Sequence, residues 1–265
     1  MREENTKTLL GHVKKNDLVY TTRCDRATEH AIRILATKKH LKTLAIQEEG
    51  GWFTYKRYAK PNNLKLNMLK MREGKIQNIP KNAIIVLHST PAYAYVEDMK
   101  NVLKQARKKN SLVINDCCGA IGKHTASIGD VITCSFGKHK PLSSGGGGFL
   151  AFNKEFNYIK KDEKLQNNTA KTKINHENLN KALKQLPKKY EKWKKINQDL
   201  IKELPTKNIL NNKNNANINI LITYKNQTEK ERLIKHLKSK NIQYVQCPKY
   251  IRTNKKALSI EIKRL

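Results

Sequence analysis

SLVINDCCGAIGKHTASIGDVITCSFGKHKPLSSGGGGFLAF, residues 111–152, decides how the rest of the 265-residue chain is read. Apolar, β-branched runs at 111–115 and 131–136 each give way to polar residues, and the glycines Gly145 to Gly148 open a third run at 148–152. Short apolar runs bounded by turn residues read as buried strands. Asp116 closes the first run, at a carboxyl end, where open α/β sheets place their ligand-binding groups. A carboxylate in that position is costly unless something partners it. Twenty-four residues further on, the turn GKHK supplies Lys138 and Lys140.

The same rhythm extends upstream. DLVYTT (17–22), KTLAIQ (42–47) and AIIVLH (83–88) read as strands, and LKLNMLK (64–70) as an extended segment. RATEHAIRILATKK (26–39) reads as a helix with Ala27, Ile32, Leu35 and Ala36 on one side and Asp25 as its N-cap, and VEDMKNVLKQARKK (96–109) as a second. A break at Gly50-Gly51 precedes a short helix from Trp52. Strands spaced by helices predict an α/β fold, a mainly parallel sheet covered by helices on both faces.

Composition shifts near residue 153, and we expect a large domain over 1–165 and a small α+β domain over 166–265. The latter begins with a long helical tract, 177–204, expected to break at Pro187. An Asn-rich loop at 210–216 precedes a β-α-β-β pattern whose helix, TEKERLIKHLKSKN (228–241), carries a Thr228–Glu231 capping box.

The charge is +32, from 54 basic and 22 acidic residues. The excess is +14 over 1–150 and +18 over 151–265, and 44 of the basic residues are lysine. Nucleic-acid readers usually cluster their charge and place Arg or aromatics to read bases, so a nucleic-acid partner is possible but not favoured. No run reaches the roughly 20 apolar residues of a membrane span, and MREENTKTLLGH lacks the apolar block of a signal peptide. The five cysteines, Cys24, Cys117, Cys118, Cys134 and Cys247, are odd in number and form no CxxC. Neither a disulfide framework nor a metal site is expected, and the expected compartment is the reducing cytoplasm.

A carboxylate and a lysine offered from the ends of two strands suit a cofactor with a cationic ring nitrogen and an aldehyde, pyridoxal phosphate. Asp116 would keep the ring nitrogen protonated and the lysine would capture the aldehyde. SIGDVITCSFGKHKPLSSGGGGFLAF resembles the G-D-x-x-x-x-S-F-x-x-x-K-x-L-x-x-G-x-G-G pattern of the DegT-type (DegT/DnrJ/StrS) sugar aminotransferases, pyridoxal phosphate enzymes of fold type I. VLHSTPAYAYVEDM and SLVINDCCGAIG are similar to the family's next motifs upstream, TTRCDRATEHAIRIL to its S-G-T-x-A-L helix start, and EEGGWFTY to its ring-stacking aromatic segment.

By this resemblance Lys140 is the Schiff-base lysine, Asp116 the partner of the pyridine nitrogen, Ser135 a phosphate ligand and Trp52 the stacking aromatic. Arg23 and Cys24 match the Gly-Thr pair at the helix end that faces the phosphate. Lys140 and Asp116 are thus the expected catalytic residues, and Lys138 would replace Lys140 if the register slipped by two. His88 and His139 are read as structural or exposed, and Cys117 and Cys118 as small hydrophobes. Where the family carries a Gln that supports the cofactor's phenolic oxygen, this chain has Gly119.

The function so implied is amino transfer between an amino acid and a keto acceptor, such as a keto sugar, by a homodimer. A desulfurase-like enzyme of the same fold is one alternative, although Trp52 argues against it because that branch stacks a histidine on the ring. A degenerate member with an RNA-associated or structural role is another.

Overall fold

The computed structural model describes residues 1–210, 217–249 and 252–265; the expected Asn-rich loop falls, from 211 to 216, outside the described residues. After an N-terminal helix α1 (Arg2–Val13), the chain enters β1 (Asp17–Thr21), α2 (Cys24–Lys39), β2 (Thr43–Gln47) and β3 (Lys65–Leu69). A small hairpin, β4 (Met71–Arg72) and β5 (Lys75–Ile76), leads to β6 (Ala83–His88), α3 (Met99–Lys108), β7 (Leu112–Asp116), β8 (Val131–Ser135) and β9 (Gly148–Phe152). Apart from the hairpin, which is a sheet of its own, these strands form a seven-stranded sheet in the order β1-β9-β8-β7-β6-β2-β3. The five strands from β8 to β3 run parallel, and β9 lies antiparallel between β8 and β1.

Both faces are covered, as the continuous apolar runs require. Every residue of β6 is buried. On one face α2 sets Ala27, Ala31, Ile32 and Leu35 against Ile84, Val86, Ile114 and Leu150. On the other, α1 and the first half of a long helix close over Ile132, Cys134, Phe149 and Ala151, with α3 over Ile85, Leu87 and Val113. Burying each Val, Ile or Leu contributes about 1.5–3 kcal/mol, so this double-sided core dominates the fold.

Beyond the sheet come α4 (Glu163–Ala170) and α5 (His176–Glu203), then β10 (Ile220–Thr223), α6 (Gln227–Ser239), β11 (Tyr244–Cys247) and β12 (Ala257–Ile260). The last three strands form an antiparallel sheet in the order β10-β12-β11. Helix α5 serves both cores: Leu179, Leu183 and Leu186 pack beside the large sheet, Trp193 and Leu200 beside the small one.

Several local expectations are corrected. Helix α5 passes through Pro187 without ending; buried residues on both sides of it hold the helix against the loss of one backbone donor. Helix α2 starts earlier than expected, with Arg23 in extended conformation at its N-cap. Asp25 lies within the first turn instead, where its carboxylate accepts a hydrogen bond from the Thr54 hydroxyl. The cap of α6 is Asn226, whose Oδ1 accepts the Glu229 N–H at 2.9 Å while Glu229 Oε2 accepts the Lys225 N–H at 2.7 Å. The box therefore uses Asn226 and Glu229, not Thr228 and Glu231. Asp98 caps α3 by accepting the Asn101 N–H, which delays that helix to Met99. The helical turn after Trp52 is a 3-10 turn that begins only at Tyr55.

Candidate active site at the carboxyl ends of the large sheet

His88, Asp116 and Ser135 end β6, β7 and β8. His88 pairs with Asp116, and Asp116 with Thr133, across the parallel ladder. Gln47, at the end of β2, fixes this edge by accepting the His88 N–H at 2.8 Å. The sheet register thus brings residues far apart in sequence to one rim.

A cavity of about 250 Å³ opens at that rim. Its lining includes all six residues singled out from the sequence: Arg23, Cys24, Trp52, Asp116, Ser135 and Lys140. Lys138 is exposed and does not line it.

Lys140 follows β8 in a turn closed by its own N–H on the Gly137 carbonyl at 3.2 Å, with His139 at φ 61°. From α5, Lys189 Nζ donates to the carbonyls of Lys140 and Pro141, both at 3.2 Å, and pins the turn from outside. Lys140 Nζ points inward, hydrogen-bonds to the Tyr93 hydroxyl and lies 5.9 Å from the centre of the Trp52 ring. Burial acts to lower its pKa, but Tyr93, Cys118 and Asp116 outweigh burial and hold the ammonium above its ordinary range.

Asp116 accepts the Cys118 N–H at 2.9 Å on Oδ1 and the Tyr55 hydroxyl at 2.5 Å on Oδ2. These two donors satisfy the buried carboxyl group. Ser135 Oγ accepts the Gly137 N–H at 3.1 Å. The start of α2 also lines the cavity, with Arg23, Cys24, Asp25 and Thr28. This helix end can approach because residue 148 is glycine: a Cβ there would lie 2.7 Å from Cys24 N and 2.5 Å from Cys134 O. The glycine run therefore gives β9 a packing role that brings the helix terminus, a natural anion site, to the sheet.

Cys24 and Cys118 meet with their sulfurs 3.5 Å apart. For Cys24 the contact with Cys118 raises the thiol pKa first and burial second; for Cys118 burial leads.

Among the lining residues not selected from the sequence for this site are Tyr55, Tyr93 and His88. Tyr55 partners Asp116, Tyr93 partners Lys140, and His88 packs edge-on against Tyr93 with ring centres 4.7 Å apart. Burial lowers the His88 pKa to about 4, and its Nδ1 accepts the Thr90 N–H at 3.2 Å. Nothing in the spacing of Tyr55 or Tyr93 signals these contacts. They arise from a 3-10 turn after β2 and a kinked loop after β6 folding over the same rim.

A carboxylate at one end, a lysine beside an aromatic ring, and a helix terminus with a serine make the cavity fit an anionic, aldehyde-bearing aromatic group. Residues 61–179 match the model of the DegT/DnrJ/EryC1/StrS aminotransferase family. GDP-perosamine synthase of Escherichia coli O157:H7 is 35% identical over 86 residues, which span 31% of this chain and 22% of the synthase. The fold is similar to that of a putative sugar aminotransferase from Streptococcus pneumoniae solved in its PLP form, with 12% identity, a TM-score of 0.74, and 98% of this chain and 85% of that one covered. A DegT DnrJ EryC1 StrS aminotransferase from Brucella abortus gives 13% identity and a TM-score of 0.71, over 98% and 84% of the two chains. The central stretch, residues 61–179, is thus similar to the DegT/DnrJ/EryC1/StrS aminotransferase family, and the fold of nearly the whole chain is similar to that of the two solved aminotransferases.

Proposed function

We propose that the chain is a pyridoxal phosphate-dependent aminotransferase that moves an amino group from an amino acid to a keto acceptor, with Lys140 and Asp116 as its catalytic residues. The observation that carries this reading is the convergence of Asp116, Ser135, Lys140, Trp52 and the start of α2 on one cavity. When bound, the cofactor supplies an aldehyde that captures amines and a ring that withdraws electrons.

The chain's residues supply the rest. Lys140 Nζ is the amine that would hold the aldehyde and afterwards move the substrate proton, as general base and then acid. Asp116, kept in place by Tyr55 and the Cys118 N–H, would hold a proton on the ring nitrogen. Ser135 Oγ and the first turn of α2 would bind the phosphate, with Arg23 adding charge, and Trp52 would cover the ring.

The sugar aminotransferases among the similar proteins support a sugar carrying a keto group as acceptor, the motif resemblance supports a homodimer as the working form, and the composition shift near residue 153 supports two units of chain, 1–165 and 166–265. Among the described residues no helix is long and apolar enough to cross a membrane. The five cysteines are buried and free, which supports a reducing compartment, the cytoplasm.

The test is to load the purified chain with pyridoxal phosphate and add single amino acids, following conversion of the cofactor from its aldehyde to its amine form by absorbance. At least one amino acid is expected to drive the conversion and a keto acceptor to reverse it. No conversion with any amino acid would overturn the proposal.

A further inference from the structure

Gly119 has no side chain, and the structure shows what occupies the volume that one would fill. A Cβ at residue 119 would lie 2.4 Å from Thr90 Oγ1, 2.6 Å from Tyr93 Cδ1 and 3.0 Å from His88 Cε1. Tyr93 reaches the position through unusual backbone: Ala92 and Tyr93 have φ of 55° and 61°, a region that residues with side chains rarely adopt in succession. Such strain persists only where surrounding contacts impose it. Here the Ala92 N–H donates to the Gly50 carbonyl at 2.8 Å, and the Tyr93 carbonyl accepts the Asn219 N–H at 3.0 Å. Asn217 Nδ2 holds the Ala94 carbonyl at 2.5 Å. The loop is thus clamped from β2's end and from the strand region of the small sheet.

The clamp delivers one polar atom to the cavity, the Tyr93 hydroxyl, and that atom meets Lys140 Nζ. The Tyr93 ring lies 4.7 Å from Lys140 Nζ, 4.8 Å from the Arg252 guanidinium and 4.5 Å from Lys263 Nζ. Besides these cations, Asp116, His88, Cys118 and Glu261 contribute to the local field.

We propose that Tyr93 takes over the seat left by Gly119 and is the positioning residue of Lys140, its hydroxyl keeping a hydrogen bond to Nζ in both protonation states of the lysine. With Lys140 as an ammonium, Nζ–H donates to the Tyr93 oxygen. When the lysine is neutral, the hydroxyl hydrogen turns to the nitrogen lone pair, so no proton leaves the pair. The hydroxyl oxygen is the better partner for the charged form, since a hydrogen bond from an ammonium is the stronger kind.

This inference rests on the reading of Lys140 as the reacting lysine, but its test uses the chain without cofactor. The apo chain and its Tyr93→Phe variant are pulse-acetylated with limiting acetic anhydride across a pH series, and acetyl on Lys140 is quantified by mass spectrometry. Phe keeps the ring and removes the hydroxyl. The midpoint for Lys140 is expected to fall by about one unit, which is about tenfold more reactive amine below the midpoint, while exposed lysines such as Lys138 stay unchanged. An unchanged Lys140 midpoint in a folded Tyr93→Phe chain would overturn the positioning role.

The shared seat has its own readout. Gly119→Gln is expected to lower the urea midpoint of unfolding, and in a Tyr93→Ala background it should cost less than in the wild type. Strictly additive costs would overturn the claim that Tyr93 fills the vacant position. A chain that shows both effects but captures no cofactor would overturn the proposed function and leave this inference standing; cofactor capture without either effect would do the reverse.

Discussion

Two lysines, the half-buried Lys140 and the buried Lys263, approach the same ring, that of Tyr93, and they have opposite fates. Lys263 is enclosed: its Nζ bonds to Asn219 Oδ1 at 2.7 Å and pairs with Glu261, which Arg252 and Arg264 also approach. Burial and the nearby Arg252 push its pKa down to about 7. Lys140 has the Tyr93 hydroxyl as partner, faces a cavity, and is held above the ordinary lysine range. Burial alone therefore does not mark a reactive lysine. Of the two, Lys140 is the one that lines the cavity, which is why we propose it as the reacting amine. The polar cluster around Lys263 instead fastens the small sheet to the loop that carries Tyr93.

The contrast can be broken from the structural side first. Lys263→Met leaves Glu261 buried without its closest cation, and loss of one partner of a buried pair costs about 3–5 kcal/mol. Urea unfolding should show that loss while Lys140 keeps its reactivity. A Lys263→Met chain as stable as the wild type would remove the distinction.

His88 gives a pH test on the cavity side. Its pKa is about 4 when folded, against an ordinary value near 6.5 in the unfolded chain. The unfolded state thus takes up a proton first as pH falls, and stability present above about 6.5 is lost progressively toward 4. The full effect is at most about 3 kcal/mol. Glu97, raised to about 7 mainly by burial, works in the opposite sense over nearly the same window, so the observable is the difference between wild type and His88→Asn. That difference should shrink as pH falls from 6.5 to 4; a difference independent of pH would contradict a neutral buried imidazole.

Gly148→Ala is expected to cost about 2 kcal/mol by overpacking, because the new Cβ would press on both the β8 backbone and the start of α2. Pyridoxal phosphate affinity should weaken with it, whereas Gly145→Ala, with open space around it, should strain only its own backbone, at φ 103°. The smallest effect is expected for Asp116→Asn, which preserves the shape and removes the charge: about tenfold weaker cofactor affinity, about 1.4 kcal/mol. Fluorescence titration measures both.

Much of this was legible in the sequence where one physical requirement dominated. The apolar run at 83–88 and the Gly-led run at 148–152 become strands with those bounds because both faces are buried. Asp116 ends β7 and Lys140 sits in the turn that follows β8, so the parallel pairing of these two strands brings both to one rim. Helix ends were less legible, since several nearby side chains can cap. Asn226 rather than Thr228 caps α6, and Thr54 draws Asp25 away from the cap of α2. Pro187 was misread because packing on both sides of it outweighs one missing donor. Tyr93 and Tyr55 were invisible because loops without periodicity deliver them, and Gly119 showed only that something was missing, not what replaced it.

The most direct test of the account is borohydride reduction of the chain after it has been saturated with pyridoxal phosphate. The account expects one stoichiometric label on the peptide containing Lys140, retained in Lys138→Ala and Lys263→Met and lost in Lys140→Ala. A chain that stays unlabelled, or a label spread over surface lysines and unaffected by Lys140→Ala, would contradict it.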